Sequence, residues 1–444
     1  MYPEIDDDCL KRIISFLEPE DVPPLRLVSK GWLRCTDALL SSVRADFLSC
    51  RKSPEVGADR RLLNVRCNGT TEFFLALERD ASKCSPDATR AACDAIGYAG
   101  VTHRHLSMAE RAVTGLRYHG IMDRSLCRLV GRMDTLRELY LEGIGERTVD
   151  TLKKTCLMQA ISKLPHLRVL SAPYYDLTAE DFRGFSCRSL TSLDLFRNSL
   201  REAGAEAVSK LPELIHLDIG NNDLGPAGVS SLSSLSSLRN LGISFNKADD
   251  ASLSICLSGL TNLTSLKGRW NEYGRMTGEA LRGLTRLVNL DVGFSNSFIV
   301  APYIAGLTRL SRLEMSFSGA TQDTAAHIAR ISSLTSLSLS NNDLGSAGAI
   351  ELARGPAAKT LTDLDMGWND IGFNGAVAIA SGMTALKRLD IQKNDILDLG
   401  LHRVTRLQHL EFLNASANCV SDTTQRCVAH EIRKTRPGTE FVYR

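Results

Sequence analysis

Cys84, Cys93, His103 and His105 lie close together in the sequence and bring the two side-chain types that most often hold structural zinc. Their separations match no familiar zinc spacing. The 12 cysteines are scattered without a short CxxC pair, so they read more simply as free thiols in a reducing compartment, most of them buried as small hydrophobes. GxSxG, Walker-type and HExxH motifs are all missing, which leaves no activated nucleophile, phosphate cradle or metal-borne base. The expectation is therefore a non-enzyme with no catalytic residue, no metal and no cofactor. The chemistry that remains is recognition. Phe245, Trp270, Phe294 and Phe317 recur at similar intervals and Trp368 follows after about twice that interval, with Lys267 and Arg269 beside them, and rings and guanidinium groups are the usual anchors of protein interfaces.

These rings are embedded in a rhythm. The pattern LxxLxLxxNxL appears as LTSLDLFRNSL from Leu190, LIHLDIGNNDL from Leu214, LTSLSLSNNDL from Leu334, LTDLDMGWNDI from Leu361 and LKRLDIQKNDI from Leu386. Weaker copies start at Leu136, Leu167, Leu238, Leu263, Leu287, Leu310 and Leu410, with an early one near Val113. Most are about 24 residues apart, the signature of a leucine-rich repeat. In each unit two apolar residues two apart, such as Leu364 and Met366, turn to one face of a short strand while Asp363, Asp365 and Gly367 point the other way. Asn198, Asn222, Asn246, Asn271, Asn342, Asn369, Asn394 and Asn418 fall where the chain leaves the strand, so a buried amide can satisfy the backbone of the bend and stack as a ladder.

The second half of the unit carries Gly-Ala followed by a helical period, as in LREAGAEAVS, LGSAGAIELA and IGFNGAVAIA. Small residues keep that side thin. The expected fold is an α/β leucine-rich-repeat solenoid, with a curved parallel sheet inside and short helices outside. TTQRCVAHEIRK then reads as a closing helix and TEFVYR as a terminal strand. The Gly-Ala form over roughly residues 190 to 420 resembles the repeats of the GALA class of bacterial F-box effectors, which implies action inside a host cell.

Two columns face outward. The residues just before the Asn position are Tyr174, Arg197, Asn221, Phe245, Trp270, Phe294, Phe317, Asn341, Trp368 and Lys393. Four consecutive aromatics in that column either form an exposed ladder for a partner or fold back on one another as local core. The strand column reads Asp194, Asp218, Gly242, Lys267, Asp291, Glu314, Ser338, Asp365 and Asp390, which either complements a basic partner or is a solvated face. Between Leu263 and Leu310 the pattern loosens. Gly268 replaces an inward apolar residue, Ser295 and Ser318 replace Asn, and KGRWNEYGR adds Lys267, Arg269, Trp270, Tyr273 and Arg275. Local rules give way most often at functional sites, so the target contact is expected there.

Length and composition agree with this reading. A chain of 444 residues exceeds one ordinary core, and 43% apolar with 23% charged residues is ordinary for a globular protein. Lys plus Arg number 53 against 51 acidic residues, a formal balance of +2, which argues against a nucleic-acid reader. No run is apolar enough to span a membrane, and no basic segment followed by a long apolar stretch opens the chain. The expected location is cytoplasmic, or host cytoplasm for a delivered effector.

The opening has a different texture. Ile5, Leu10, Ile13, Phe16 and Leu17 make one apolar helical face after the acidic IDDD, and Asp21 is placed to cap a second helix whose first turn takes Pro23 and Pro24. Leu25, Leu27, Val28 and Trp32 extend the apolar surface over a third helix. Three such helices cannot bury it alone. Ser15-Phe16-Leu17, Asp21-Val22 and Arg26-x-Val28-Ser29-Lys30-x-Trp32 resemble the F-box, with Ile5-Asp6 standing where that family has Leu-Pro. The resemblance implies docking on the Skp adaptor, and through it cullin, by Ile5, Leu10, Ile13, Phe16, Leu17, Val22, Leu25, Val28 and Trp32. The repeats would then hold a target protein by Phe245, Lys267, Arg269, Trp270, Phe294, Phe317 and Trp368.

The domain plan expected is F-box-like helices over 1–45, a helical connector with degenerate first repeats over 46–112, repeats over 113–420 and a cap over 421–444. Within the connector, TTEFFLALERDASKC and DATRAACDAIGYA read as helices. The function expected is a substrate-recognition adaptor of a cullin-RING ubiquitin ligase. The alternative is a binding or inhibitory repeat protein unrelated to ubiquitin, whose first helices only cap the solenoid.

Overall fold

Leu217, Leu241, Leu266, Leu290, Leu313, Leu337, Leu364, Leu389 and Leu413 stand in register, each at the centre of a three-residue strand. They come from a computed structural model that describes residues 62–68, 72–77, 115–119, 127, 130–142 and 151–443. The chain divides into two units between Asn198 and Ser199.

The first unit contains β1 (Leu62–Asn68), β2 (Glu72–Leu77), β3 (Gly115–His119), β4 (Glu138–Glu142), β5 (Val169–Ser171) and β6 (Ser192–Asp194). Its strands lie in the order β2-β1-β3-β4-β5-β6, all parallel except the β1–β2 hairpin. That hairpin corrects the expected helical connector: Glu72–Leu77 is a strand paired antiparallel with β1, from Leu63↔Leu77 to Asn68↔Glu72. The run Glu-Phe-Phe-Leu-Ala-Leu is rich in strand-forming aromatics, and Asn68-Gly69 ahead of it is a turn signal. Pairing with β1 then satisfies backbone groups that a short isolated helix would leave marginal. The second stretch read as a connector helix lies outside the described residues. The copy near Val113 is a repeat strand, β3, pairing parallel with β4.

The second unit contains β7 (His216–Asp218), β8 (Asn240–Gly242), β9 (Ser265–Lys267), β10 (Asn289–Asp291), β11 (Arg312–Glu314), β12 (Ser336–Ser338), β13 (Asp363–Asp365), β14 (Arg388–Asp390), β15 (Phe412–Asn414) and β16 (Glu440–Val442). They pair in sequence order, every pair parallel. A second buried column runs two residues on, through Ile219, Ile243, Val292, Met315, Leu339, Met366 and Ile391. Burying one such side chain contributes about 1.5–3 kcal/mol, so the two columns carry much of each repeat's stability.

The amide ladder forms as expected in the second unit, and the first unit contributes Asn198, whose Oδ1 accepts from Tyr175 N at 3.1 Å and Leu177 N at 2.8 Å. In the second, Asn246 donates its Nδ2 to Ile219 O at 3.0 Å and Ile243 O at 3.1 Å, while its Oδ1 accepts from Asn222 N at 3.0 Å. Asn369 and Asn394 repeat the arrangement. Each amide thus ties its own bend to the preceding repeat. On the helix side the Gly-Ala pairs set the spacing: a Cβ on Gly375 would lie 3.0 Å from the Ala349 Cβ and 2.8 Å from the Ile371 Cβ. The second unit closes with the helix Asp422–Thr435, which buries Val428, Ala429 and Ile432, and with β16 against β15.

Candidate functional site

Beyond each strand the chain turns through a residue in the left-handed region. Tyr174, Arg197, Asn221, Phe245, Trp270, Phe294, Phe317, Asn341, Trp368, Lys393 and Ala417 all have φ between 52° and 58°. The path is imposed by pairing to the following repeat: Phe245 N donates to Arg269 O at 2.8 Å, Phe294 N to Ser316 O at 2.7 Å and Trp368 N to Gln392 O at 2.9 Å. Asn suits this conformation, whereas a bulky ring there is an outlier that costs on the order of 1 kcal/mol.

The column before the Asn ladder is therefore a backbone feature, and it aims the rings. Phe245, Trp270, Phe294 and Phe317 stack in order, with centroids 5.4, 5.4 and 4.5 Å apart and planes within 20° of parallel. They contact one another and remain open to solvent: Phe245 is 43%, Trp270 51% and Phe317 47% exposed, with Phe294 half-buried between its neighbours. The two alternatives left by the sequence both describe part of the arrangement, because the rings cover only each other's faces and leave their edges in water. Trp368 occupies the same repeat position beyond Asn341, is 50% exposed, and carries the Lys393 ammonium 5.1 Å from its ring centroid.

Arg269 is committed to its own chain. Its Nε donates to both carboxylate oxygens of Asp291, at 2.7 and 2.6 Å, its Nη2 lies 3.7 Å from Glu314, and its guanidinium sits 5.7 Å from the Phe294 centroid. It braces the stack from the sheet side. Lys267, at the end of β9, is exposed.

The strand-end acids have a structural task. Asp218 accepts from Gly220 N at 3.1 Å, Asp365 from Gly367 N at 3.0 Å, Asp390 from Gln392 N at 3.0 Å and Glu314 from Ser316 N at 3.1 Å. Each carboxylate takes the N–H two residues on, where the bend has begun. Burial raises the Glu314 carboxyl above its usual range, against the hydrogen bonds from Ser316 and the charge of Arg269. Asp390 is raised for the same reason.

The loosened stretch proves to be a packing exchange. Where Gly268 leaves the second core column empty, Tyr273 fills it: the ring is 2% exposed, its hydroxyl donates to Gly268 O at 2.8 Å, and a Cβ on Gly268 would collide with the Tyr273 hydroxyl. Tyr273 is thus core, not contact surface. The missing Asn at Ser295 is replaced from the next position, since Asn296 Oδ1 accepts from Tyr273 N at 3.0 Å. Neither exchange is visible in a column-by-column reading, because each moves a role along the chain.

Ile5, Leu10, Ile13, Phe16, Leu17, Val22, Leu25, Val28 and Trp32 lie outside the described residues, as do Cys84, Cys93, His103 and His105. Among the described cysteines Cys127, Cys187 and Cys256 are buried, and burial pushes the Cys256 thiol up to about 12. Cys156 is half-buried, and Cys419 and Cys427 are exposed on the last repeats, so burial is less general than composition suggested. Among the described residues no group of His, Cys, Asp and Glu is arranged to hold a metal, and no helix is long and apolar enough to cross a membrane.

Comparison with known proteins identifies the parts. Residues 3–41 match the F-box domain, residues 188–247 match a leucine-rich repeat, and residues 331–353 and 357–380 match a second leucine-rich-repeat family. No curated protein sequence matches the chain. Among solved structures it is similar to an internalin (inlF) of Listeria monocytogenes, with 18% identity, TM-score 0.52, 72% of this chain and 91% of that one covered. It is also similar to a leucine-rich-repeat protein of Leptospira interrogans, with 16% identity, TM-score 0.50, 74% and 90% covered. At these identities the likeness is one of fold.

Proposed function

We propose that this F-box leucine-rich-repeat protein is a substrate-recognition adaptor of a cullin-RING ubiquitin ligase. The F-box at residues 3–41 supports a Skp-type partner, and the repeats support a protein target. Both are binding modules, and the adaptor acts by raising the effective concentration of target beside the ligase. The docking residues proposed are Ile5, Leu10, Ile13, Phe16, Leu17, Val22, Leu25, Val28 and Trp32. The target is proposed to lie along Phe245, Trp270, Phe294, Phe317 and Trp368, with Lys267 as a free cation at the edge and Arg269 as a brace.

One observation carries the target site. The rings occupy left-handed positions that Asn fills at Asn221 and Asn341, and they remain about half exposed. Backbone strain combined with apolar exposure is retained where a partner uses it. The Gly-Ala repeats, similar to those of the GALA effectors, support action in a host cytoplasm.

The test is co-purification with a recombinant Skp adaptor. The parent chain is expected to bind at micromolar concentration, and Leu17→Asp with Trp32→Ala is expected to abolish binding while the circular dichroism of the repeats is unchanged. Absence of binding by the parent would overturn the adaptor reading in favour of a binding protein with an N-terminal cap.

A further inference from the structure

We propose that the repeat face contains a slot for an arginine side chain of the bound protein, over Asn341 and between Phe317 and Trp368. The inference rests on reading this face as the target surface, and it names the chemistry of the target there. Between Phe245 and Trp368 the aromatic column is interrupted once, at Asn341, whose backbone follows the same left-handed path as its ring-bearing neighbours, φ 56° against 52° for Phe317 and 58° for Trp368. β11, β12 and β13 pair without offset, so Phe317 and Trp368 flank Asn341 one strand away on either side. Two strand spacings put the rings roughly 10 Å apart. That admits one planar group at the 4.5–5.4 Å that the four stacked rings keep among themselves. Among the described residues the Asn341 side-chain amide makes no hydrogen bond, although its backbone N–H is used by Gly367 O. It can offer its oxygen to an incoming donor.

Charge selects the occupant. On the turn side of this half of the column stand Asp343, Asp370 and Asp395, all exposed, and on the sheet side Glu314, Asp365 and Asp390, each half-buried. Among the described residues the cation within the column here is Lys393, already over Trp368; Arg312 and Arg388 stand at the far ends of their strands, two residues before Glu314 and Asp390, and Arg388 lies over Phe412. An anionic ligand would be repelled, and a neutral ring would leave Asp343 and Asp370 without a countercharge, whereas Glu314 already lies 3.7 Å from Arg269. A lysine ammonium is compact and cannot lie flat against two rings, whereas a guanidinium is planar, cationic and carries donors along its edge. The chain already sets cations beside rings of this column, with Lys393 over Trp368 and the Arg269 guanidinium 5.7 Å from the centroid of Phe294, whose faces are taken by its stacking neighbours.

The experiment uses the full chain labelled with 15N-tryptophan, the Trp368 indole resonance being assigned by its loss in Trp368→Phe. N-acetyl-arginine methylamide is titrated beside its lysine and citrulline analogues. A saturable shift of that resonance is expected for the arginine probe, with affinity at least about fivefold above either analogue. Asn341→Phe, which completes the stack at a position where the backbone already accepts Phe and Trp, is expected to abolish the shift. No saturable shift, an equal response to lysine or citrulline, or a shift that survives Asn341→Phe would each overturn the slot. Skp co-purification of the same proteins is scored separately, so a failed slot with retained Skp binding is distinct from failure of the adaptor reading.

Discussion

Leu397 opens the helix Leu397–Val404 at φ 62°, the position that Gly225, Gly345 and Gly372 occupy at φ 65°, 58° and 58° in other repeats. Its side chain is exposed, so burial does not repay the strain. Leu397→Gly is expected to raise stability by about 1 kcal/mol, read as a higher urea midpoint at unchanged slope. Glu314 presents the opposite situation, a useful side chain in an unfavourable place. Its carboxyl is raised by burial, so its contribution is full below its ordinary value of 4.5 and is lost as pH climbs through the raised folded value. Glu314→Gln keeps an acceptor for Ser316 without the charge. The melting temperature of the variant relative to the parent is expected to increase as pH goes from about 4 to about 7. A difference that shrinks with pH would mean that pairing with Arg269 outweighs burial.

A repeat is held by devices that join it to the next one, so element-scale changes should be felt at the seams. Asn369 is 1% exposed and its amide donates to Leu339 O, Met366 O and Gly367 O while accepting from Leu344 N. Asn369→Ala strands buried carbonyls in two repeats and is expected to cost about 2–4 kcal/mol by chemical denaturation, more than an exposed Asn→Ala change. The loss should include faster amide exchange of Leu344, whose N–H loses its acceptor. This ladder was legible in the sequence because one residue type recurs at one spacing. The left-handed corner beside it was not, since Phe, Trp, Arg, Lys and Asn share it and only backbone pairing between repeats imposes it.

For the molecule as a whole, the ends of a stack are the weak points, because a terminal repeat has a neighbour on one side only. In the second unit Arg436 donates to Leu407 O and Thr405 O, and β16 pairs with β15, so the closing helix and strand are fastened to the last repeat by backbone as well as by Val428, Ala429 and Ile432. A chain ending at residue 420 is expected to bind a hydrophobic dye and to aggregate on heating, while retaining most of the parent's circular dichroism. Unchanged dye binding would show that the last repeat is closed without this cap.

Periodicity determined the architecture of this protein from sequence alone: two apolar residues in alternation, an Asn and a Gly-Ala pair at a constant interval can bury themselves only by stacking. The F-box match is likewise local, lying within residues 3–41. Tertiary structure decided the rest. That Tyr273 replaces a missing inward side chain at position 268, that Arg269 is spent on Asp291 and Glu314, and that four rings stack while three of them stay exposed all depend on contacts between residues about one repeat apart or on side chains crossing from one column to another. A linear pattern records which residue stands in each column, and the distances between columns exist only after the chain has closed on itself.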